Sequence, residues 1–343
     1  MSQGPAPRFR NIELRSNDYR GDSVDLYINS VCNLQCKTCF LGDEYFRAGR
    51  EMSLQNVTEI VRWAKNSGIT DVAILGGEPS LHRNVGEVLA KCREIGIDSI
   101  RFVTNGSRPF RRLLKTSARE YMDVVYVSLD GPDSETNDAI RGHGAFDQAM
   151  RTIEAVSEEK IPSVITASIT PASLARFESL LELAEASSCS RLNIHWVSPT
   201  GRASAGQLTI SPEEWIGLCT FIEAYSPRRQ DLRIDCQRAF VDVRNRGDSA
   251  ATSCAVRDTS NLQFMPDGSV YACGLLVDQP HLNGYRWRDG RVLRADAPNE
   301  LSICHNHLAD GCPARTGVIP SLANSNTNFL PVCIYERAHD ASS

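Results

Sequence analysis

Three cysteines near the start of the chain, Cys32, Cys36 and Cys39, have the spacing of iron–sulfur ligands. They directly follow a short run of β-branched and apolar residues. The thiolates are therefore expected in one loop at the carboxyl end of a strand, where α/β proteins form their active sites. Three thiolates can bind three irons of a cubane cluster and leave the fourth iron open to chelate a ligand. A structural zinc site that takes its fourth ligand from elsewhere is the alternative.

Two further groups of residues follow predicted strands at the same edge of the sheet. Gly76, Gly77, Glu78 and Pro79 come after the second strand, where paired glycines let the backbone approach a ligand closely; an ordinary turn is the alternative. Later strands are followed by four more polar candidates, namely Asn105, Ser128, Asp130 and Arg141. An arginine suits a carboxylate ligand because its planar guanidinium donates two parallel hydrogen bonds. A solvated arginine in a loop is the alternative for Arg141.

Short strands alternate with amphipathic segments from residue 24 to about residue 230, which is typical of βα units on a parallel sheet. The predicted strands are residues 24–29, 71–75, 99–104, 123–129, 163–169 and 192–197. A predicted helix over residues 54–65 has apolar residues at helical spacing behind Ser53 as its N-cap. Right-handed crossovers would curl these units into a partial (β/α)6 TIM-like barrel, so the predicted fold class is α/β.

The CxxxCxxC spacing, with Phe40 after the third cysteine, resembles the radical S-adenosylmethionine (radical SAM) superfamily over about residues 24–197. The resemblance implies a catalytic 4Fe-4S cluster on Cys32, Cys36 and Cys39. It also implies that the open iron binds S-adenosylmethionine. One electron would then cleave this cofactor to methionine and a 5′-deoxyadenosyl radical, which abstracts a hydrogen atom from the substrate.

The same resemblance assigns residues to the S-adenosylmethionine site. Residues 76–79, the Gly-Gly-Glu-Pro segment, are implied to bind the methionine amino group. Ser128 and Arg141 are implied to bind the methionine carboxylate. Asn105 and Asp130 belong to the neighbouring segments that carry the resemblance, and we assign them to the cofactor site as well.

Five cysteines lie in the last quarter of the chain, where helical periodicity weakens and Gly, Pro, Asn and Asp become frequent. They are Cys254, Cys273, Cys304, Cys312 and Cys333. The first two, separated by a predicted Pro-Asp-Gly hairpin over residues 264–271, resemble the start of SPASM and twitch domains, which hold auxiliary iron–sulfur clusters. The later part departs from that pattern, because His307 stands where the family has a cysteine.

These C-terminal cysteines predict one auxiliary 4Fe-4S cluster, because two clusters would need eight thiolates. Its ligands would be four of the five cysteines, with either Cys304 or Cys333 as the fourth. A zinc site and a second cluster that uses His307 are the alternatives. The predicted domains are an N-terminal extension (1–23), a radical SAM partial barrel (24–230) and a twitch-like or degenerate SPASM domain (231–343).

Cys236 lies where the predicted barrel gives way to the C-terminal domain. Epimerases of the superfamily return a hydrogen atom from a thiol, so Cys236 is a candidate catalytic hydrogen donor, with burial in the core as the alternative. Cys92 and Cys219 fall at apolar positions of predicted helices, as small buried side chains do. The fifth and sixth strands carry polar residues that could face adenine, ribose or substrate: Thr166, Ser168 and His195, of which His195 is equally well explained as a core residue.

The composition excludes several classes of protein. A formal net charge of −5, with well-mixed acidic and basic residues, argues against nucleic acid as a partner. No apolar run approaches the length of a membrane span, and the first residues do not resemble a secretory signal, so we expect a cytoplasmic protein without a membrane partner. Twelve cysteines in that compartment favour metal binding over disulfides.

The predicted activity is hydrogen abstraction from an unactivated C–H bond. The short leader of about 30 residues before Cys32 favours a small-molecule substrate (a sugar, amino sugar or nucleoside) or a short peptide. The alternative is a maturase that oxidises, crosslinks or epimerises a residue of a ribosomal peptide or protein, and the remote alternative is a non-catalytic zinc or iron–sulfur scaffold. The chemistry implies reduced flavodoxin or ferredoxin as the electron donor.

Overall fold

The computed structural model describes residues 9–14, 19, 21–237, 239–242, 261–277, 284–295 and 329–331. The strands are β1 (Phe9–Glu13), β2 (Ser23–Tyr27), β3 (Asp71–Leu75), β4 (Ser99–Thr104), β5 (Val124–Ser128), β6 (Ser163–Ile169), β7 (Arg191–Trp196), β8 (Arg233–Cys236), β9 (Phe240–Asp242), β10 (Leu262–Phe264), β11 (Ser269–Tyr271), β12 (Tyr285–Arg288), β13 (Arg291–Ala295) and β14 (Phe329–Pro331). The helices are α1 (Asp43–Arg47), α2 (Leu54–Asn66), α3 (Val85–Ile95), α4 (Arg108–Leu113), α5 (Ser134–Arg141), α6 (Ala145–Glu158), α7 (Pro171–Ala175), α8 (Phe177–Ala186) and α9 (Pro212–Ala224).

Within these residues, one twelve-stranded sheet has the order β1-β13-β12-β11-β10-β2-β3-β4-β5-β6-β7-β8. Strands β2 to β8 are neighbours in chain order and run parallel, and β10 runs parallel to β2 on the other side. Parallel neighbours need crossover connections, which the helices between these strands supply. The carboxyl ends of the parallel strands therefore lie at one edge of the sheet.

The predicted α/β class with a parallel sheet is confirmed. All six predicted strands are present as β2 to β7, with ends that differ by no more than two residues. The parallel sheet is wider than the sequence predicted, because β8 and β10 extend it on both sides. These strands have only four and three residues, which is too short for an alternation of apolar and polar residues to identify them in the sequence. The domain boundary placed after residue 230 stays a prediction, and the sheet continues across it.

The strands alternate between two environments. In β4, Ile100 and Phe102 are buried in the hydrophobic core, whereas Arg101 and Val103 face the opposite side of the sheet. Helix α2 buries its apolar face and begins at Ser53, whose side chain accepts a hydrogen bond from the Asn56 backbone N–H at 3.1 Å. The predicted helix and its cap are confirmed, with the end one residue later.

The predicted hairpin over residues 264–271 is also confirmed, as the antiparallel pair β10 and β11. Phe264 packs edge-on against Trp63 of α2, with ring centroids 5.7 Å apart, and against Trp287 of β12 at 5.8 Å. The contact with Trp63 joins the C-terminal strands to helix α2. No helix in the described ranges is long and apolar enough to cross a membrane.

Gly106 and Gly290 have nearly the same φ, so a comparison of the two distinguishes the cost of a left-handed backbone from the cost of a steric clash. Gly106 has φ +74°, and a Cβ built on it would lie 2.8 Å from Ala149 Cα in α6; Gly290 has φ +75° with nothing within 4 Å. We expect Gly290→Ala to reduce the free energy of unfolding by about 1–2 kcal/mol, the cost of a left-handed residue. Gly106→Ala adds the steric cost and should lose about 2 kcal/mol more. Urea denaturation of both variants measures this difference, and equal losses would contradict it.

Candidate active site

A cavity of about 500 Å³ lies at the carboxyl edge of the parallel strands. Most of the residues predicted from the sequence as site residues line it: Cys32, Cys36, Cys39, Gly76, Gly77, Glu78, Pro79, Asn105, Ser128, Arg141, Thr166, Ser168 and His195. They come from six successive strands and the loops and helix that follow them. The parallel topology thus gathers residues that are more than 160 positions apart in the chain.

The three cysteines occupy one loop after β2, and all three are free thiols. Burial raises the pKa of Cys32 to about 11 and that of Cys39 to about 12. The Leu34 backbone N–H and the Asn105 side-chain amide both point to the Cys32 sulfur, at 3.5 and 3.9 Å. A bound metal deprotonates coordinating thiols outright, and such donors then stabilise the thiolate. The sulfurs and their donors therefore fit an iron–sulfur cluster.

The loop after β3 contacts the cysteine loop through the backbone. The Gly77 N–H donates to the Asn29 carbonyl at 2.9 Å, and the Glu78 N–H donates to the Val31 carbonyl at 2.7 Å. A Cβ on Gly77 would lie 2.4 Å from the Val31 carbonyl oxygen and 3.0 Å from the Cys32 Cβ. The two loops can approach this closely only because position 77 has no side chain.

The Glu78 carboxylate is fully buried and joins the loops after β3 and β4. It accepts hydrogen bonds from the Asn105 backbone N–H at 2.8 Å and the Thr104 hydroxyl at 3.0 Å, as well as from Ser80. Burial raises the pKa of Glu78, whereas these hydrogen bonds act in the opposite direction. Because the Glu78 carboxylate already accepts these hydrogen bonds, it is mainly the backbone groups of residues 76–78 that face the cavity.

Asp130 differs from its prediction as a residue that contacts the cofactor. Its side chain is fully buried outside the cavity lining and pairs with Arg141, with Nε–Oδ2 at 2.8 Å and Nη2–Oδ1 at 3.0 Å. The Ser168 backbone N–H also donates to it at 2.7 Å. Burial lowers the pKa of Arg141, but the Asp130 carboxylate outweighs that effect and the net pKa is raised. Asp130 therefore orients Arg141 and keeps it charged at the cavity wall.

Three polar atoms of the lining residues are buried without a hydrogen-bond partner in the described part of the chain, namely Arg141 Nε, which has only its ion-pair contact with Asp130, Thr166 Oγ1 and Asn193 Oδ1. Buried polar groups in native proteins nearly always have a partner, so these atoms fit a polar ligand. Burial lowers the pKa of the neighbouring His195, which favours its neutral form. Asn193 was missed from the sequence, although it alternates with apolar residues in β7 as His195 does.

The floor of the cavity carries charged residues that sequence analysis also missed. Arg101 pairs with Asp71, with Nε–Oδ1 at 2.7 Å and Nη2–Oδ1 at 2.6 Å. Asp25 of β2 lines the same floor, and burial raises its pKa from 3.8 to about 6, with Asp71 adding to the rise and Arg101 opposing it. The signal was present in the sequence as a charged residue at alternate positions of three apolar strands.

Cys236, the candidate hydrogen donor, is the last residue of β8. Its sulfur is bonded to that of Cys219 in α9, and Cys236 is absent from the cavity lining. The role of Cys236 as a hydrogen donor stays a prediction, and it would require the reduced form of this pair. The pair also departs from the expectation of reduced thiols, whereas Cys92 is buried in the core as predicted.

One of the five C-terminal cysteines is described. Cys273 is buried beside the cysteine loop, in an apolar cluster with Tyr27, Leu41 and Tyr271 that also contacts Cys39. The other predicted auxiliary ligands lie outside the described residues, namely Cys254, Cys304, Cys312 and Cys333, together with His307. The auxiliary cluster therefore stays a prediction.

Comparison with known proteins supports the assignment of the fold and the family. The profile of the Radical SAM superfamily matches residues 26–184. Mycofactocin maturase MftC is 36% identical over 144 residues in Mycolicibacterium smegmatis, 40% of this chain and 36% of that protein. In Mycobacterium tuberculosis it is 28% identical over 270 residues, 76% of this chain and 66% of that protein. The chain thus spans less than two thirds of the length of these maturases.

Two other relatives extend the comparison. The AdoMet-dependent heme synthase of Oleidesulfovibrio alaskensis is 26% identical over 337 residues, which covers 90% of this chain and 86% of that protein. Among solved structures, Streptococcus suis SuiB bound to S-adenosylmethionine superposes with a TM-score of 0.64 at 20% identity, over 75% of this chain and 61% of SuiB. At 20% identity, the similarity to SuiB shows a shared fold.

The buried pair of Asp130 and Arg141 gives a prediction about stability. Asp130→Asn leaves the Arg141 charge buried without its partner, so the free energy of unfolding should fall by about 3–5 kcal/mol. Asp133→Asn is the matched control, because Asp133 pairs with Arg176 at 2.6 Å in a partly exposed site and Asn still caps α5. That control should lose less than about 1 kcal/mol. Similar losses in denaturant titrations would contradict the role given to Asp130.

Asp25 gives a prediction about pH. Because the folded state raises its pKa from 3.8 to about 6, ionisation of Asp25 destabilises the folded state as pH rises through this range. Relative to Asp25→Asn, the wild type should therefore lose about 1 kcal/mol of unfolding free energy between pH 5 and pH 8. Parallel denaturant titrations of the two apoproteins at both pH values measure this difference. If the difference in unfolding free energy between the two proteins does not change with pH, the pKa of Asp25 is not raised.

Proposed function

This chain belongs to the radical SAM superfamily, and on that premise we propose that it abstracts a hydrogen atom from a residue of a peptide substrate and so acts as a peptide maturase. The observation that carries the proposal is the cavity, in which three free thiols, the Gly-Gly-Glu-Pro backbone and a buried arginine meet. The oxidative, crosslinking or epimerising outcome of the reaction is left to experiment.

The residues of this chain have distinct roles in the proposed mechanism. Cys32, Cys36 and Cys39 would hold the 4Fe-4S cluster, which with S-adenosylmethionine would supply a 5′-deoxyadenosyl radical. The backbone of residues 76–79 would bind the amino group of the methionine moiety, and Ser128 and Arg141, which both line the cavity, would bind its carboxylate. Carboxylate recognition needs a fixed and charged arginine, which Asp130 provides.

A peptide substrate is favoured by the relatives. The mycofactocin maturase similarity extends over 76% of this chain, and SuiB has also been solved with its precursor peptide SuiA. These comparisons favour the maturase alternative over the small molecule that we expected from the sequence. They support the proposal through similarity of sequence and fold.

A small-molecule substrate is the second candidate. The heme synthase similarity covers 90% of this chain, more than the maturase similarity does, although at lower identity than the shorter maturase matches. Under either candidate the proposal includes one auxiliary cluster at the C-terminal cysteines and reduced flavodoxin or ferredoxin as electron donor. It also places the reaction in the cytoplasm.

The thiol assignment is tested by counting iron. Anaerobically reconstituted wild-type protein should contain about eight irons per chain and the Cys32→Ala/Cys36→Ala/Cys39→Ala variant about four. With dithionite and S-adenosylmethionine, the wild type should form 5′-deoxyadenosine and the variant none. Cys92→Ala is the matched control, because Cys92 is a buried thiol of the α3 core away from the cavity, and this variant should retain both iron and activity.

The outcomes distinguish the proposals. Four irons falling to none would keep the radical enzyme and remove the auxiliary cluster. Zinc without acid-labile sulfide would contradict the function altogether. Mass spectrometry of peptides encoded beside the gene, incubated with the active protein, then tests the substrate: a loss of two hydrogens or a deuterium exchanged from solvent supports a maturase, and modification of a small molecule alone supports the second candidate.

A further inference from the structure

The charged side chains that line the cavity are nearly all neutralised within the protein. Arg141 pairs with Asp130, Arg101 with Asp71, and Arg202 with Asp43 at 2.6 Å. The Glu78 carboxylate accepts hydrogen bonds from backbone and hydroxyl groups. Asp25 differs from this set, because within the described part of the chain its carboxylate has neither an ion pair nor a hydrogen bond.

The register of the strands explains why Arg101 does not neutralise Asp25. Asp25 pairs with Ala73, and Ala73 with Arg101, so Asp25 and Arg101 lie two strands apart, about 10 Å between their backbones. The Arg101 guanidinium instead binds Asp71, which also accepts a hydrogen bond from the Ser99 hydroxyl. The Arg101 guanidinium is therefore paired with Asp71, and the Asp25 carboxylate has no ion pair in the described part of the chain.

Space for a ligand exists beside this charge. Ala73 is the residue between Asp25 and Arg101, and its methyl group leaves the floor open above β3. Asp25 lies two residues before Tyr27 on the same face of β2, about 7 Å further from the loop of the cluster cysteines. The cavity thus extends below the cysteines to an unpaired carboxylate.

We infer that Asp25 is a substrate-binding residue that pairs with a protonated amine of the substrate at the floor of the cavity. The inference rests on the proposed function, since it assumes that the substrate enters the same cavity. A partly buried carboxylate without a partner is costly, and a bound ammonium group would reduce that cost. The amine belongs to a lysine side chain of a peptide or to an amino sugar, and the two sources share this chemistry.

Two pairs of probes test the inference on reconstituted, S-adenosylmethionine-loaded protein. The peptide pair is N-acetyl-Ala-Lys-Ala-amide and its Nε-acetyl-lysine analogue; the sugar pair is D-glucosamine and N-acetyl-D-glucosamine. Anaerobic calorimetry measures the affinity of each probe. In at least one pair the amine should bind about tenfold or more tightly than its acetylated partner.

Three variants identify the residue responsible. Asp25→Asn should reduce the affinity ratio to about one, whereas Asp25→Glu should retain the preference for the amine. Asp98→Asn removes the same charge from an exposed site outside the cavity and should keep the wild-type ratio. Iron content and S-adenosylmethionine affinity should be unchanged in Asp25→Asn, which establishes that the variant is folded and its cofactor site intact.

The remaining outcomes contradict either the inference or the proposed function. A ratio near one for both pairs in the wild type, a ratio that persists in Asp25→Asn, or loss of S-adenosylmethionine affinity in that variant would overturn the inference. Asp25-dependent discrimination of the sugar pair alone would keep the inference and contradict the peptide proposal. Peptide modification that is insensitive to Asp25→Asn would keep the proposed function and contradict the inference.

Discussion

The close contact between the loops after β2 and β3 is the constraint on which the site depends. The Gly77 and Glu78 amides bond to carbonyls on either side of the start of the cysteine loop, and the missing side chain at position 77 permits that distance. The sulfur ligands and the Gly-Gly-Glu-Pro backbone are thereby held against each other by backbone hydrogen bonds. Glu78 extends the same arrangement to the loop after β4. Three neighbouring strands then act as one rigid support for the cavity.

Buried charge is handled in two contrasting ways. Asp130 and Arg141 form a two-point ion pair, so Arg141 remains charged and oriented while the protein carries no unbalanced charge there. Asp25 carries a charge that no group in the described part of the chain pairs with, and its raised pKa reflects the cost of that position. The paired arrangement of Asp130 and Arg141 is the more stable of the two. A destabilising carboxylate on a cavity floor is what a residue reserved for a ligand would show.

The family comparisons and the cavity address different questions. Sequence similarity identifies a radical SAM domain over residues 26–184, and the structural neighbours agree in fold at about 20% identity. The substrate contact that we infer for Asp25 lies lower in the cavity, beside Ala73 and away from the cysteine loop.

The sequence by itself determined the ligand types and the local elements. Cysteine spacing, the Gly-Gly-Glu-Pro segment, six strands and the Ser53 cap depend on neighbours within a few residues, and local sequence records such features directly. Tertiary structure decided which of the predicted residues meet. In the structure, Asp130 pairs with Arg141, Cys236 lies against Cys219, and Asp25 has no ion pair. Strand register and the width of the sheet set these contacts. Such distances join residues far apart in the chain, and no short pattern encodes them.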